Sequence, residues 1–136
     1  NGICFKIAPD QPEIYGKIKT GKLIVEGRNI YNSDIDFIKD RRKISFEGLI
    51  LVSLIINSDY SLHKEIKITQ NGLSIENFKK IEINFKEVFL NEFLHLSEDK
   101  KSSDIIISDL IKKVLRKFTK TELGKKPEVK VHILRL

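Results

Sequence analysis

One stretch limits what this chain can fold into. Leu49–Ile56 reads LILVSLII, with Ser53 as its only polar residue, and it is the longest apolar run in the sequence. The run is too short to cross a bilayer, and its apolar character on both alternating sides suits a strand covered on both faces. Gly48 opens it and Asn57-Ser58-Asp59 closes it. It therefore reads as a central strand that the other segments must cover.

The segments before it carry less apolar surface. Asn1-Gly2 is a hairpin-turn dipeptide followed by the strand-like Ile3-Cys4-Phe5-Lys6-Ile7, which places the partner strand upstream of Asn1. The sequence contains no methionine, so the chain is expected to be cut from a longer product, its first residues forming the edge of another domain. Two prolines in residues 8–12 (APDQP) break regular structure, and extended pieces follow at 13–19 and 22–26, punctuated by Gly16, Gly21 and Gly27. This stretch reads as a connector between domains. Ser33 is then the expected N-cap of a short helix to about Lys43, with Asp36 in a capping-box position. Ile35, Ile38 and Phe37 are its candidate buried residues, and Arg41-Arg42-Lys43 its basic exit.

Beyond the central strand, residues 57–61 form a turn. Residues 63–70 (HKEIKITQ) alternate Ile66 and Ile68 against Lys67 and Thr69, as in a half-exposed antiparallel strand that ends at Asn71-Gly72. Ile81, Phe85, Val88, Phe89 and Leu96 recur at helical spacing and predict a helix over 81–96. A second helix starts near Ser103 and Asp104 and carries Ile107, Leu110, Ile111, Val114, Leu115 and Phe118 on one stripe. Gly124 suits its end, and Pro127 prevents continuation. Residues 128–136 alternate Val129, Val131 and Ile133 against Lys130 and His132, a third strand.

The expected fold is α+β: a three-stranded mixed β-sheet packed against two α-helices in the order β-β-α-α-β, preceded by an extended linker and a short helix. Two helices return the chain so that the last strand runs parallel to the first, while the strand order stays open. Because the central strand is apolar on both sides, its face away from the helices should meet a partner, either a second copy of the chain or the rest of the parent protein.

A length of 136 residues allows one small domain plus a tail, and the balance of 40% hydrophobic to 32% charged residues is that of a globular chain. Lys6 and Asp10 interrupt the N-terminal apolar residues before a signal-peptide core could form. The single cysteine, Cys4, excludes a disulfide framework and reads as a small buried hydrophobe, which points to a reducing, cytoplasmic compartment with no membrane partner.

Few residues carry chemistry. His63, His95 and His132 lie far apart, so no metal motif is present, and Gly124-Lys125-Lys126 follows a helix where a phosphate loop must precede one. No catalytic residue and no cofactor site are assigned. Charge is more informative: from Ser103 onward nine lysines and arginines face four carboxylates, so almost all of the net charge of +6 lies in the last quarter. Lys112, Lys113, Arg116, Lys117 and Lys120 fall on the outer side of the last helix, and Lys125 and Lys126 follow its end. These residues can be a solvated face that complements the helix dipole. Alternatively they contact phosphates of RNA, weakly and without sequence preference, since no aromatics lie among them for base stacking.

Three stretches carry a resemblance. The NG…APDQPEI…GKL…G pattern (Asn1 to Gly27), DRRKISFEGLILVSLII (Asp40 to Ile56) and LGKKPEVKVHILRL (Leu123 to Leu136) resemble the C-terminal portion of bacterial ribonuclease J. There, an Arg-rich segment and a Gly precede an apolar strand, and a Lys/Arg-Pro step, here Lys126-Pro127, precedes the last strand. Residues 73–102 match only in helical character. The resemblance implies a parent enzyme with a zinc-dependent metallo-β-lactamase core, an inserted β-CASP domain, a linker and a small C-terminal α/β domain, which degrades and processes RNA by 5′-exonuclease and endonuclease action. Residues 1–28 would end the β-lactamase-like domain and its linker, and 29–136 would form the C-terminal domain. The zinc ligands of the HxHxDH motif have no counterpart in this chain. Its expected contribution is assembly and RNA engagement; the alternative is an independent, non-enzymatic nucleic-acid-binding or protein-interaction module.

Overall fold

In the computed structural model, which describes residues 1–7, 9 and 11–136, the chain divides into two units, Asn1–Asp40 and Arg41–Leu136. The first contains two antiparallel ribbons: β1 (Ile3–Lys6) pairs with β2 (Glu13–Lys17), and β3 (Leu23–Glu26) with β4 (Asn29–Asn32). Within the chain β1 takes β2 as its partner, with Ile3 opposite Lys17 and Lys6 opposite Glu13, a pairing that the sequence reading did not foresee. The Gly2 carbonyl accepts the Ile18 N–H at 2.8 Å, so Gly2 prolongs the ribbon instead of turning away from it. Of the break at 8–12, Ala8 and Asp10 lie outside the described residues. The stretch read as a connector thus holds strands of its own, including β4, which short alternation did not reveal. Cys4, expected to be buried, is only half-buried on its ribbon.

Helix α1 (Asp36–Glu47) runs through the boundary between the two units. Ser33 does not cap it: its hydroxyl donates to the Asp34 carboxylate at 3.2 Å, while the Ile35 carbonyl takes the N–H groups of Ile38 and Lys39. The helix also continues past Lys43, so Arg41-Arg42-Lys43 lies inside it. Of the three candidate buried residues only Ile38 is buried; Ile35 and Phe37 remain partly exposed, the Phe37 ring meeting Tyr31 edge-on at 5.0 Å.

The second unit begins its sheet at β5 (Leu49–Ile56) and continues with β6 (Lys67–Asn71), α2 (Ile75–Leu94), the single turn α3 (Glu98–Lys101), α4 (Asp104–Leu123) and β7 (Glu128–Arg135). The sheet order is β6-β5-β7, with β6 antiparallel and β7 parallel to the centre. The sequence reading of a mixed three-stranded sheet with two helices holds, with three adjustments. Strand β6 starts at Lys67 rather than 63, because Leu62 is held by a bridge to Ile56 and Ile66 turns into the core. Helix α2 starts at Ile75 rather than 81, which brings Phe78 into its buried stripe, and it stops at Leu94. The short α3 between the long helices was not foreseen.

Burial follows the register. Ile50, Val52, Leu54 and Ile56 of β5 form the core with Phe78, Ile81, Phe85, Phe89 and Phe93 of α2 and Ile107, Ile111, Val114 and Leu115 of α4. Strand partners share a face, so Leu49, Leu51, Ser53 and Ile55 line the opposite face of β5. Beside them stand Lys67, Thr69 and Asn71 of β6 and Glu128, Lys130, His132 and Leu134 of β7. That face is apolar along the central strand, where Leu51 is 45% exposed, and at Leu134 of β7, which is 46% exposed. Among the described residues no helix is long and apolar enough to cross a membrane.

A basic strip and cleft as candidate nucleic-acid interface

Helix α4 is placed by its ends as much as by its core. The Ser103 hydroxyl accepts the Ile106 N–H at 3.5 Å and Asp104 complements the positive end of the helix, while Gly124 closes it at φ 63. Arg135, at the end of β7, donates to the Asp104 carboxylate at 2.8 Å and to the carbonyls of Lys101 and Ser102, so the last strand clamps the start of the helix. With Ile107, Ile111, Val114 and Leu115 turned into the core, the spacing of 3.6 residues per turn puts Lys112, Arg116 and Lys120 in one row on the outer side. Successive members rise by about 6 Å along the axis. Lys113 and Lys117 form the adjacent row.

The strip is largely free of internal counter-ions. Lys112 lies 3.9 Å from the Asp109 carboxylate, whereas Lys113, Arg116, Lys117 and Lys120 have no ion-pair partner among the described residues. All four are exposed. Lys125 is different: its ammonium donates to the Phe46 carbonyl at 3.1 Å, which ties the residues after α4 to the end of α1. Lys126 is held through its backbone, its N–H donating to the Glu47 carboxylate at 2.7 Å, and its side chain stays exposed.

At its C-terminal end the strip opens into a cleft of about 360 Å³ lined by Lys43, Arg116, Lys120, Lys126 and Pro127. The structure therefore brings Arg116, Lys120 and Lys126 together and adds Lys43, a cation that the sequence reading placed at a helix exit and not at the site. Its signal was the Arg41-Arg42-Lys43 run. What joins it to α4 is the parallel pairing of β5 with β7, which sets Leu49 beside Glu128 and so brings the end of α1 next to the start of β7. The Lys43 ammonium donates to the Glu128 carboxylate, and Lys130 lies 3.6 Å from the same group. The hydrogen bond from Lys43, aided by the charges of Lys43 and Lys130, holds the Glu128 carboxyl below its ordinary range against a weaker opposing effect of burial.

Four cations lining one cleft have the charge and the donor groups to hold an anion. The zinc implied by the sequence resemblance does not fit these residues, since among the described residues no three His, Cys, Asp or Glu side chains come together. His63 Nδ1 meets the Asn57 side-chain carbonyl at 2.9 Å and His95 Nδ1 the Asn91 carbonyl at 2.7 Å, both local contacts, and His132 stands on the open sheet face.

Comparison with known proteins bears on the same residues. Residues 36–136 match the family described as the ribonuclease J C-terminal domain, a span that includes the sheet, α4 and the cleft. The ribonuclease J of Sinorhizobium meliloti is 24% identical over 138 aligned positions, which take in 100% of this chain and 24% of that protein. The chain thus spans about a quarter of the length of the curated relative it matches. With the family match covering the whole second unit, the chain belongs to the ribonuclease J family and carries its C-terminal domain.

Proposed function

We propose that this chain serves as the non-catalytic C-terminal domain of a zinc-dependent, RNA-degrading and RNA-processing enzyme of the cytoplasm, to which it contributes RNA engagement and assembly. The metallo-β-lactamase core, the β-CASP insertion and the exonuclease and endonuclease activities belong in this reading to the rest of the parent. Residues 1–28 would finish the preceding domain and its linker: the β1–β2 ribbon leaves Phe5, Ile14 and Tyr15 exposed, and two-stranded ribbons seldom stand alone. Assembly would use the apolar middle of the open sheet face.

The observation that supports RNA engagement is the exposed strip Lys113, Arg116, Lys117 and Lys120, cations without counter-ions among the described residues. Side chains of this kind bind phosphate by releasing condensed counter-ions, so affinity should be independent of sequence and fall steeply with salt. Replacing Lys113 and Arg116 by Ala should weaken binding to unrelated single-stranded RNAs equally. The same change should flatten the slope of log affinity against log salt by roughly 1.4, about 0.7 for each phosphate left without its cation. Fluorescence anisotropy across a salt series reads both quantities. An unchanged affinity at low salt would return the strip to a solvated helix face.

A further inference from the structure

We infer that the cleft at the end of the strip is a subsite for a single nucleic-acid backbone phosphate, and that Glu128 is its internal counter-anion, which holds Lys43 until a phosphate displaces it. This rests on the RNA-engaging reading of α4 and assigns the two residues outside that helix that set its strength.

The cleft gathers four cations from three parts of the fold: Lys43 from α1, Arg116 and Lys120 from α4, and Lys126 from the turn before β7. Three of these carry no ion pair among the described residues, so most of the positive charge at the concave end of the strip is uncompensated. Lys43 is the exception. Its partner Glu128 belongs to the strand that leaves the cleft floor directly after Pro127, and it keeps a second cation, Lys130, at 3.6 Å. The carboxylate is therefore supplied with an alternative partner. If a phosphate takes the Lys43 ammonium, Glu128 retains Lys130, and neither charge is stranded.

The frame around the exchange is held by bonds that do not involve the Lys43 side chain. Besides the Lys43–Glu128 pair, the end of α1 is tied to the same turn by Lys125 to the Phe46 carbonyl and by the Lys126 N–H to Glu47. Lys43 can thus change partner while its helix stays in place. Arg116 offers a planar fork to a phosphate, and Lys120 and Lys126 act as point charges beside it.

The arrangement makes Glu128 a positioning residue with an effect opposite to that of the strip cations. In the 136-residue chain, Glu128→Gln should bind single-stranded RNA roughly three- to tenfold tighter at low salt and steepen the salt slope by about 0.7, the increment of one further phosphate. Lys43→Gln should bind more weakly than the wild type, and the double variant should return to the wild-type affinity. Glu82→Gln removes the same charge from a pair with Lys86 on α2, outside the cleft, and should change nothing. Inorganic phosphate titrated into the chain should shift the backbone resonances of residues 126–128 in the wild type, and at lower concentration in Glu128→Gln. If Glu128→Gln binds as the wild type does while Lys113→Ala with Arg116→Ala still weakens binding, the gated subsite is wrong and the strip stands. If none of these variants alters RNA affinity, both readings fall. Equal tightening by Glu82→Gln would make net charge alone the cause and would also remove the subsite.

Discussion

Gly48 satisfies two demands at one residue. It ends α1, its N–H returning to the Ile44 carbonyl at 2.9 Å, and it starts the central strand, with φ at 86°. L-residues reach this left-handed region at a cost of about 1–2 kcal/mol. There is also no room for a side chain, since a Cβ would lie 2.7 Å from Leu73 Cδ2 and 3.0 Å from the Asn71 carbonyl oxygen. Gly48→Ala should therefore destabilise the chain by about 2–3 kcal/mol, read as a lowered urea midpoint with an unchanged slope. Gly16→Ala is the matched control, because nothing lies within 4 Å of a Cβ there and its φ is not positive. It should stay within about 0.5 kcal/mol of the wild type. Equal effects of the two substitutions would show that the tight helix-to-strand passage is not what Gly48 supplies.

Among the elements, α2 puts most of its aromatic volume into the core. Phe85 and Phe89 stack with ring centres 5.5 Å apart, Phe93 continues the row at 5.6 Å, and Phe85 and Phe89 are fully buried. Removing the middle ring should leave a cavity that its neighbours cannot fill without giving up their own packing. Phe89→Ala is accordingly expected to cost about 3–5 kcal/mol in chemical denaturation, and a loss under about 1.5 kcal/mol would mean that the row relaxes around the gap. This stripe also marks how far the sequence was legible. Where the period was sustained and the ends were signalled, as in α4 between Ser103 and Gly124 or β5 between Gly48 and Asn57, the element could be read to its bounds. The start of α2 was missed because Ser74 makes no side-chain cap and the turn before it is held instead by Gln70, whose side-chain Oε1 accepts the Leu73 N–H at 2.9 Å. The pairing of β1 with β2 was not read because Asn1-Gly2 looks like a turn in isolation and drew attention away from residues 13–17. The strip and cleft cations were all visible as charge; that Lys125 is engaged by a carbonyl and that Lys43 joins the cleft depends on strand pairing across distant sequence, which local pattern does not carry.

At the scale of the whole molecule, the second unit packs its two long helices, α2 and α4, on one face of the sheet and leaves the other face open. Leu49, Leu51, Ile55 and Leu134 run along the other face, flanked by Lys67 and Thr69 on one side and Lys130 and His132 on the other. An apolar band with a polar rim is the usual composition of a surface that associates. A two-fold pairing of copies would place band on band, each Leu51 near the centre because it sits between Thr69 and Lys130 in the sheet. The expected outcome is a dimer or larger species for the wild type in sedimentation velocity at tens of micromolar, and a monomer for Leu51→Lys. The substitution should leave the fold intact, since Leu51 is already nearly half exposed and surface changes of this kind seldom exceed about 0.5 kcal/mol. Unchanged far-UV dichroism would confirm that the fold persists. If wild type and Leu51→Lys sediment alike, whether both as monomers or both as the same assembly, the open sheet face is not where copies of this chain meet, and the assembly role would have to rest on another surface.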